Sequence, residues 1–367
     1  MAERPDRAEL ERLGLLDPAA SDAADQLRLL TRAFELGATV DEVRRANRIF
    51  GLGPLMLDLV MRPAGETQEL RAFAERSDLD SDLVYRLWLA LGLPDSDTVP
   101  VRVTADAAEA LRLMAAMTTL FGEDVVLALA RVVGSSVARM TEALSGAFRV
   151  GIEVPQRMMG TPYSHVVDDY TSVARDLLPS FLEAVEAVFR RHLVMVSYQL
   201  WSTDEDRAAV TLERTVGFAD LVGSTDVLHT QSVKEMAEMV RQFEERAWDL
   251  VSRAGGRVVK LIGDEAMFVV EDPDRACDVG LGLVEASPHP VRVGLAQGPV
   301  VGLYGDYYGE TVTLAARLVR AATPSTLLVS ETVRDGAGAA FTFQPLGPLV
   351  LKGFADPVPI YGVQRPN

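Results

Sequence analysis

Hydrophobic periodicity changes once along this 367-residue chain, near residue 200, and the change limits the fold to two dissimilar parts. Before it, apolar residues recur at helical spacing. Residues 24–34 carry such a pattern, which stops at Leu36-Gly37. A second helix starts at Thr39, with Glu42 three residues on as a capping-box partner. Residues 106–144 read as two or three amphipathic helices, with Gly122 and Gly134 as breaks or close-packing points. Residues 154–162 read as a loop, and residues 170–200 as a long segment with Phe189-Arg190-Arg191-His192-Leu193 near its end. The polar run 202–207 then marks a linker.

Beyond the linker, short apolar runs alternate with amphipathic ones. Strands are expected at 214–218, 257–262, 265–270, 291–296, 326–330 and 358–363, and helices at 232–254, 274–285 and 309–322. The order strand–helix–strand–strand–helix–strand is that of the ferredoxin-like split βαβ. The expected fold class is α+β: an all-helical N-terminal domain over 1–200, a linker over 201–211, and a palm-type catalytic domain over 212–367.

Bulk properties exclude several functions. The net charge of −17 and pI near 4.7 oppose nonspecific binding to nucleic acid or to an anionic membrane. Cys277 is the only cysteine, which excludes an intramolecular disulfide and disfavours a cysteine zinc site. The N-terminus lacks a signal-peptide pattern, and no apolar run reaches the roughly 20 residues of a membrane span. A cytoplasmic location is expected. Residues 37–43 and 83–94 are similar to the opening of a helix-turn-helix. Arg44, Arg45 and Arg48 are offset by nearby acids, so helical packing is the preferred reading over DNA binding.

Asp220 and Asp264 each stand in a short apolar stretch that ends in a turn. Two carboxylates at the ends of buried strands, beside the small-residue turn Gly223-Ser224-Thr225, suit a divalent cation bound to a triphosphate. Carboxylate oxygens hold hard cations, and turn amides hold phosphate. Each aspartate alone is more simply a turn former; the pair points to phosphoryl chemistry on a nucleotide.

Residues 210–365 resemble the class III nucleotidyl cyclase catalytic domain. The resemblance rests on Phe218-Ala219-Asp220-Leu221-Val222-Gly223-Ser224-Thr225, Lys260-Leu261-Ile262-Gly263-Asp264 and Arg292-Val293-Gly294-Leu295. It continues through Asp306-Tyr307-Tyr308-Gly309, Val312-Thr313-Leu314-Ala315-Ala316-Arg317 and Leu351-Lys352-Gly353-Phe354. The whole chain is similar to soluble actinobacterial adenylyl cyclases with an N-terminal helical regulatory domain.

The resemblance implies that Asp220 and Asp264, with the carbonyl of Leu221, hold two Mg²⁺ or Mn²⁺ ions. The turn Gly223-Ser224-Thr225 would receive the triphosphate and Arg292 its terminal phosphates. Lys260 and Asp306 would read adenine, and Arg317, with Thr313, would stabilise the transition state. It further implies ATP as substrate, cyclic AMP and pyrophosphate as products, and a homodimer. Lys260 and Asp264 flank one hairpin turn, too close to serve opposite ends of one ATP. One chain would supply the metal carboxylates and its twin the base-reading set.

The family places Asn where Thr313 stands, so a nucleotide-binding pseudo-cyclase is the alternative. A diguanylate cyclase fits less well, because residues 263–268 lack its second glycine and its Glu-Phe pair. The four histidines (His165, His192, His229 and His289) have no metal-site spacing. His192, beside Arg190 and Arg191, is expected to make domain arrangement respond to pH. The direction of N-terminal control and the preferred metal stay open.

Overall fold

The apolar spacing of the first two hundred residues produces helices, as read. The computed structural model describes residues 5–49, 51–62, 67–94, 102–200, 211–223 and 232–366. Two compact units, Met1–Trp201 and Ser202–Asn367, divide the chain.

In the first unit, α1 (Arg7–Arg12), α2 (Ala23–Glu35), α3 (Val40–Ile49) and α4 (Leu52–Met61) enclose a core around Leu10, Leu30, Val43 and Met56. The capping box at α3 is present. The Thr39 N–H donates to the Glu42 carboxylate at 2.8 Å, and the Glu42 N–H donates to Thr39 Oγ1 at 3.3 Å. A second core, around Phe73, Leu87, Trp88 and Leu111, joins α5 (Leu70–Arg76), α6 (Ser81–Ala90), α7 (Ala105–Phe121) and α8 (Glu123–Phe148). Gly122, at φ +84°, separates α7 from α8. Gly134 is a close-packing point, since a Cβ there would lie 2.4 Å from the carbonyl oxygen of Leu91.

The expected loop at 154–162 is corrected over its first half: residues 159–162 are turn and irregular, but 154–158 are helix. A π turn (Arg149–Glu153) leads straight into α9 (Val154–Met158). Pro155 is accommodated just after the junction of the π turn with α9, where the backbone is helical on both sides. The final helix, α10 (Tyr163–Leu200), begins seven residues before the expected 170 and contains Pro179.

The second unit is an eight-stranded sheet. Its order is β2 (Arg257–Ile262), β3 (Glu265–Val270), β1 (Thr211–Leu221), β4 (Val291–Leu303), β6 (Thr326–Ser330), β8 (Val358–Gln364), β7 (Thr342–Leu349). A short β5 (Asp306–Tyr308) folds back on β4. Strand β1 is antiparallel to both β3 and β4, the arrangement expected of a split βαβ.

Helices cover both faces, which is why β1 is buried continuously from Arg214 to Ala219 rather than alternately. Ala219 and Leu221 face a core with Phe243 and Val251 of α11 (Val233–Arg253) and Leu283 of α12 (Pro273–Ala286). Val216 and Phe218 face the opposite core, with Leu318 and Val319 of α13 (Glu310–Ala321). Gly294 on β4 lets α13 come close, because a Cβ there would lie 2.3 Å from the backbone nitrogen of Val319.

Three elements were absent from the sequence reading: β5, α14 (Glu331–Gly336) and β7. Strand β7 holds Pro345, Gly347 and Pro348, which argue against a strand unless it lies at an edge. It does lie at the sheet's edge, with a register shift between Pro345 and Gly347.

Candidate active site

Strand β1 ends at Leu221, one residue beyond Asp220, and the β2–β3 hairpin turns at Gly263-Asp264 beside it. Gly263 has φ +65°, a conformation glycine adopts without strain. The two ends are tied together. The Leu221 N–H donates to the carbonyl oxygen of Asp264 at 3.1 Å, and the Val222 N–H donates to that of Pro290 at 2.8 Å. Asp220 is in register with Glu265 on one side and Arg292 on the other.

The charges converge as the backbone does. An Arg292 Nη donates to the Asp220 carboxylate. Arg292 Nε is buried, without a hydrogen-bond partner among the described residues. Burial pushes the Glu265 carboxyl above its usual range, and repulsion from Asp220 and Asp264 adds to this. Arg320 and Arg292 oppose the shift. Both aspartates therefore act on the same small volume. Glu265 joins this acidic cluster and was not singled out from the sequence, where its only signal was adjacency to Asp264.

The donor set fits divalent cations. Asp220 and Asp264 supply hard oxygens, Leu221 a nearby carbonyl, and Asp220 already faces a cation in Arg292. Among the described residues no group of three His, Cys, Asp or Glu side chains forms a self-sufficient metal site. Two carboxylates would need substrate oxygens to complete a shell, as expected where a metal arrives with a triphosphate. Gly223, at φ +89°, follows β1 as expected, whereas Ser224 and Thr225 lie outside the described residues.

A second cluster forms where β5 folds over β2. Lys260 Nζ lies 2.5 Å from Asp306 Oδ2. The Asp306 carboxylate also accepts from the Tyr307 N–H at 2.8 Å, which fixes its orientation. Arg257 donates to the carbonyl oxygen of Gly305 at 2.9 Å, and its guanidinium lies 5.3 Å from the centre of the Tyr307 ring. The segment carrying Asp306 is thus held to β2 through Lys260 and Arg257.

Thr313 and Arg317 are one turn apart on α13. Arg317 Nε donates to the carbonyl oxygen of Lys352 at 3.1 Å, and Thr313 Oγ1 donates to that of Gly309 at 3.3 Å. Within one chain, then, the carboxylates and Arg292 come together, Lys260 and Asp306 come together, and Arg317 makes its contact elsewhere.

Residues 207–364 match the adenylate and guanylate cyclase catalytic domain. An uncharacterized protein of Mycobacterium tuberculosis is 34% identical, covering 95% of this chain and 92% of its own length. An adenylate cyclase of Streptomyces coelicolor is 32% identical, covering 78% of this chain and 76% of that enzyme. The crystal structure of the adenylyl cyclase CyaB from P. aeruginosa aligns with 43% of this chain and 97% of that one, at 22% identity and a TM-score of 0.40. By its matched domain and the Streptomyces relative, the chain belongs to the class III adenylate and guanylate cyclase family.

Proposed function

We propose that this chain is an adenylyl cyclase converting ATP to 3′,5′-cyclic AMP and pyrophosphate at sites shared between two copies. The observation that supports ATP over GTP is the pairing of Lys260 with Asp306 at 2.5 Å. The ammonium donates to adenine N1, and the carboxylate accepts from the N6 amino group. Guanine offers a donor at N1 and an acceptor at O6, which would set the ammonium against N1–H and the carboxylate against O6.

Asp220, Asp264 and the Leu221 carbonyl would hold two divalent cations, Mg²⁺ or Mn²⁺. When bound, these ions lower the pKa of the ribose 3′-hydroxyl and neutralise phosphate charge. The 3′ oxygen attacks the α-phosphorus in line, the bond to the bridging oxygen breaks, and pyrophosphate leaves with that oxygen. The hydroxyl proton passes to solvent. Arg292, beside Asp220, would turn its guanidinium to the outgoing phosphates. Arg317 presents a planar fork of donors to the charge-rich transition state, with Thr313 one turn away.

In the homodimer reading one copy supplies Asp220, Asp264 and Arg292, and the other supplies Lys260, Asp306, Thr313 and Arg317. The test is complementation. Asp220→Ala and Arg317→Ala chains, each inactive alone, are mixed and cyclic AMP is measured. A shared site restores about a quarter of wild-type output, since half the dimers are mixed and each has one intact site. No recovery would reject the shared site. The Thr313 hydroxyl is bonded to its own helix, which favours a second reading, a nucleotide-binding pseudo-cyclase. That reading predicts ATP binding without product in the same assay.

The helical unit is read as regulatory, and the protein as cytoplasmic. None of the described helices is long and apolar enough to cross a membrane. Comparing cyclic AMP output of the full chain with that of residues 205–367 gives the direction: higher output from the fragment means inhibition by the helical unit, lower output means support. His192 is exposed on α10. A His192→Ala chain with an unchanged pH profile of activity would remove it as a pH sensor.

A further inference from the structure

Strand β5 is three residues long, and its ladder partner among the described residues is β4. The turn that joins the two, Tyr304-Gly305, has φ of +53° and +80°. A tyrosine is uncommon in that left-handed region, and a short ribbon paired on one side has little stability of its own. Asp306 is the first residue of β5, so its place depends on what grips the ribbon from outside the ladder.

A bulge in β2 supplies the grip. Arg257 stands opposite Val269, Val258 opposite Phe268 and Lys260 opposite Met267, which leaves Val259 as an extra residue. Directly opposed residues of an antiparallel pair share a face. Val269 and Met267 belong to the core on the α13 side of the sheet, and Phe268 to the opposite core. Arg257 and Lys260 therefore lie on one face, the α13 side. In a regular strand, two residues three apart would lie on opposite faces. Tyr307 packs against the same core.

The two cations have separate tasks on that face. Lys260 meets the Asp306 carboxylate. Arg257, which is exposed, donates to the Gly305 carbonyl oxygen at 2.9 Å and lies 5.3 Å from the centre of the Tyr307 ring. It thus touches the residues on either side of Asp306 and holds the backbone there at two points.

We infer that Arg257 is a positioning residue for base selection, acting on the nucleotide through Asp306. This rests on the reading of Lys260 and Asp306 given above and deepens it. With β5 fixed, the carboxylate accepts from the adenine N6 amino group and repels the O6 of guanine. A loosened β5 loses both effects together, so ATP binds less well and GTP is excluded less well. Arg257 meets none of the groups assigned to the metals or phosphates, so its effect falls on KM rather than kcat.

Steady-state kinetics of the full chain with ATP and GTP, beside hydrogen exchange of the nucleotide-free protein, test this. Arg257→Leu lowers the ATP-to-GTP ratio of kcat/KM by about tenfold, the scale of one hydrogen bond and one exposed cation–π contact together. The kcat for ATP stays within about threefold of wild type. Exchange quickens in residues 301–309 and is unchanged in the ladder of β1 with β3. Arg257→Lys keeps a cation and a donor, and holds the ratio within about threefold. An unchanged ratio in Arg257→Leu overturns the proposal. A loss confined to kcat, or faster exchange across the whole catalytic unit, also overturns it, since a merely structural role gives that result. If the chain binds nucleotide without turnover, the same ratio is read from the dissociation constants of Mn²⁺–ATP and Mn²⁺–GTP. Lys260→Ala measured alongside separates the two readings. A ratio that falls in Lys260→Ala but not in Arg257→Leu rejects Arg257 and leaves the base reading standing. A ratio unmoved by Lys260→Ala rejects both.

Discussion

Lys260 and Asp306, 46 positions apart in sequence, form an ion pair of 2.5 Å between β2 and the short β5. Each partially exposed group satisfies the other, so in the proposed site an incoming base would replace both ends of the pair together.

Lys260→Ala is therefore expected to lower kcat/KM for ATP by about a hundredfold, the upper end of the roughly 1–3 kcal/mol cost of leaving a polar group without its partner. The ratio of ATP to GTP turnover should fall with it. Steady-state kinetics with both nucleotides check this; an unchanged ratio would remove Lys260 from base reading.

Asp264→Ala should reduce cyclic AMP formation by more than about a thousandfold, as loss of metal-assisted charge stabilisation implies. The Leu221-to-Asp264 bond uses only backbone atoms, so β1 and the hairpin stay tied. An unaltered circular dichroism spectrum should accompany the loss. Chelation with EDTA should abolish wild-type activity, and Mg²⁺ or Mn²⁺ should restore it.

The Glu265 carboxyl has a pKa raised by burial and by Asp220 and Asp264. A raised carboxyl pKa means the native state binds more protons than the unfolded chain between the two values. Stability attributable to this group thus falls as pH climbs through that window. In metal-free protein, Glu265→Gln should raise the thermal midpoint at pH 7. The gain should shrink as pH drops to the ordinary carboxylate range. A gain that grows on acidification would contradict the sign.

Gly294→Ala should destabilise the catalytic unit by about 3 kcal/mol, at the upper end for overpacking. The obstacle is backbone: a Cβ would meet Val319 N at 2.3 Å and the Ala315 carbonyl oxygen at 2.7 Å, neither able to rotate away. Because α13 carries Thr313 and Arg317, activity should fall even in molecules that remain folded. Denaturant unfolding paired with kinetics separates the two effects.

Much of this was legible along the chain, because the signals were local. The hairpin tip at Gly263-Asp264, the strand over 265–270 and the box joining Thr39 to Glu42 each depend on residues a few positions apart. Proline misled twice, at Pro155 and in β7. Its effect depends on whether its missing N–H was needed, which spacing does not reveal.

By itself the sequence determined most of the helices and strands, since periodicity and turn residues act over a few positions; the acids, lysine and arginines proposed to carry chemistry were assigned only through its resemblance to a family. Tertiary structure alone decided the partners: Arg292 on Asp220, Asp306 on Lys260, and Glu265 drawn into the acidic cluster. The first and third come from register across the folded sheet, and the second from β5 folding back on β4. Charge interactions weaken with distance through space, whatever the separation along the chain.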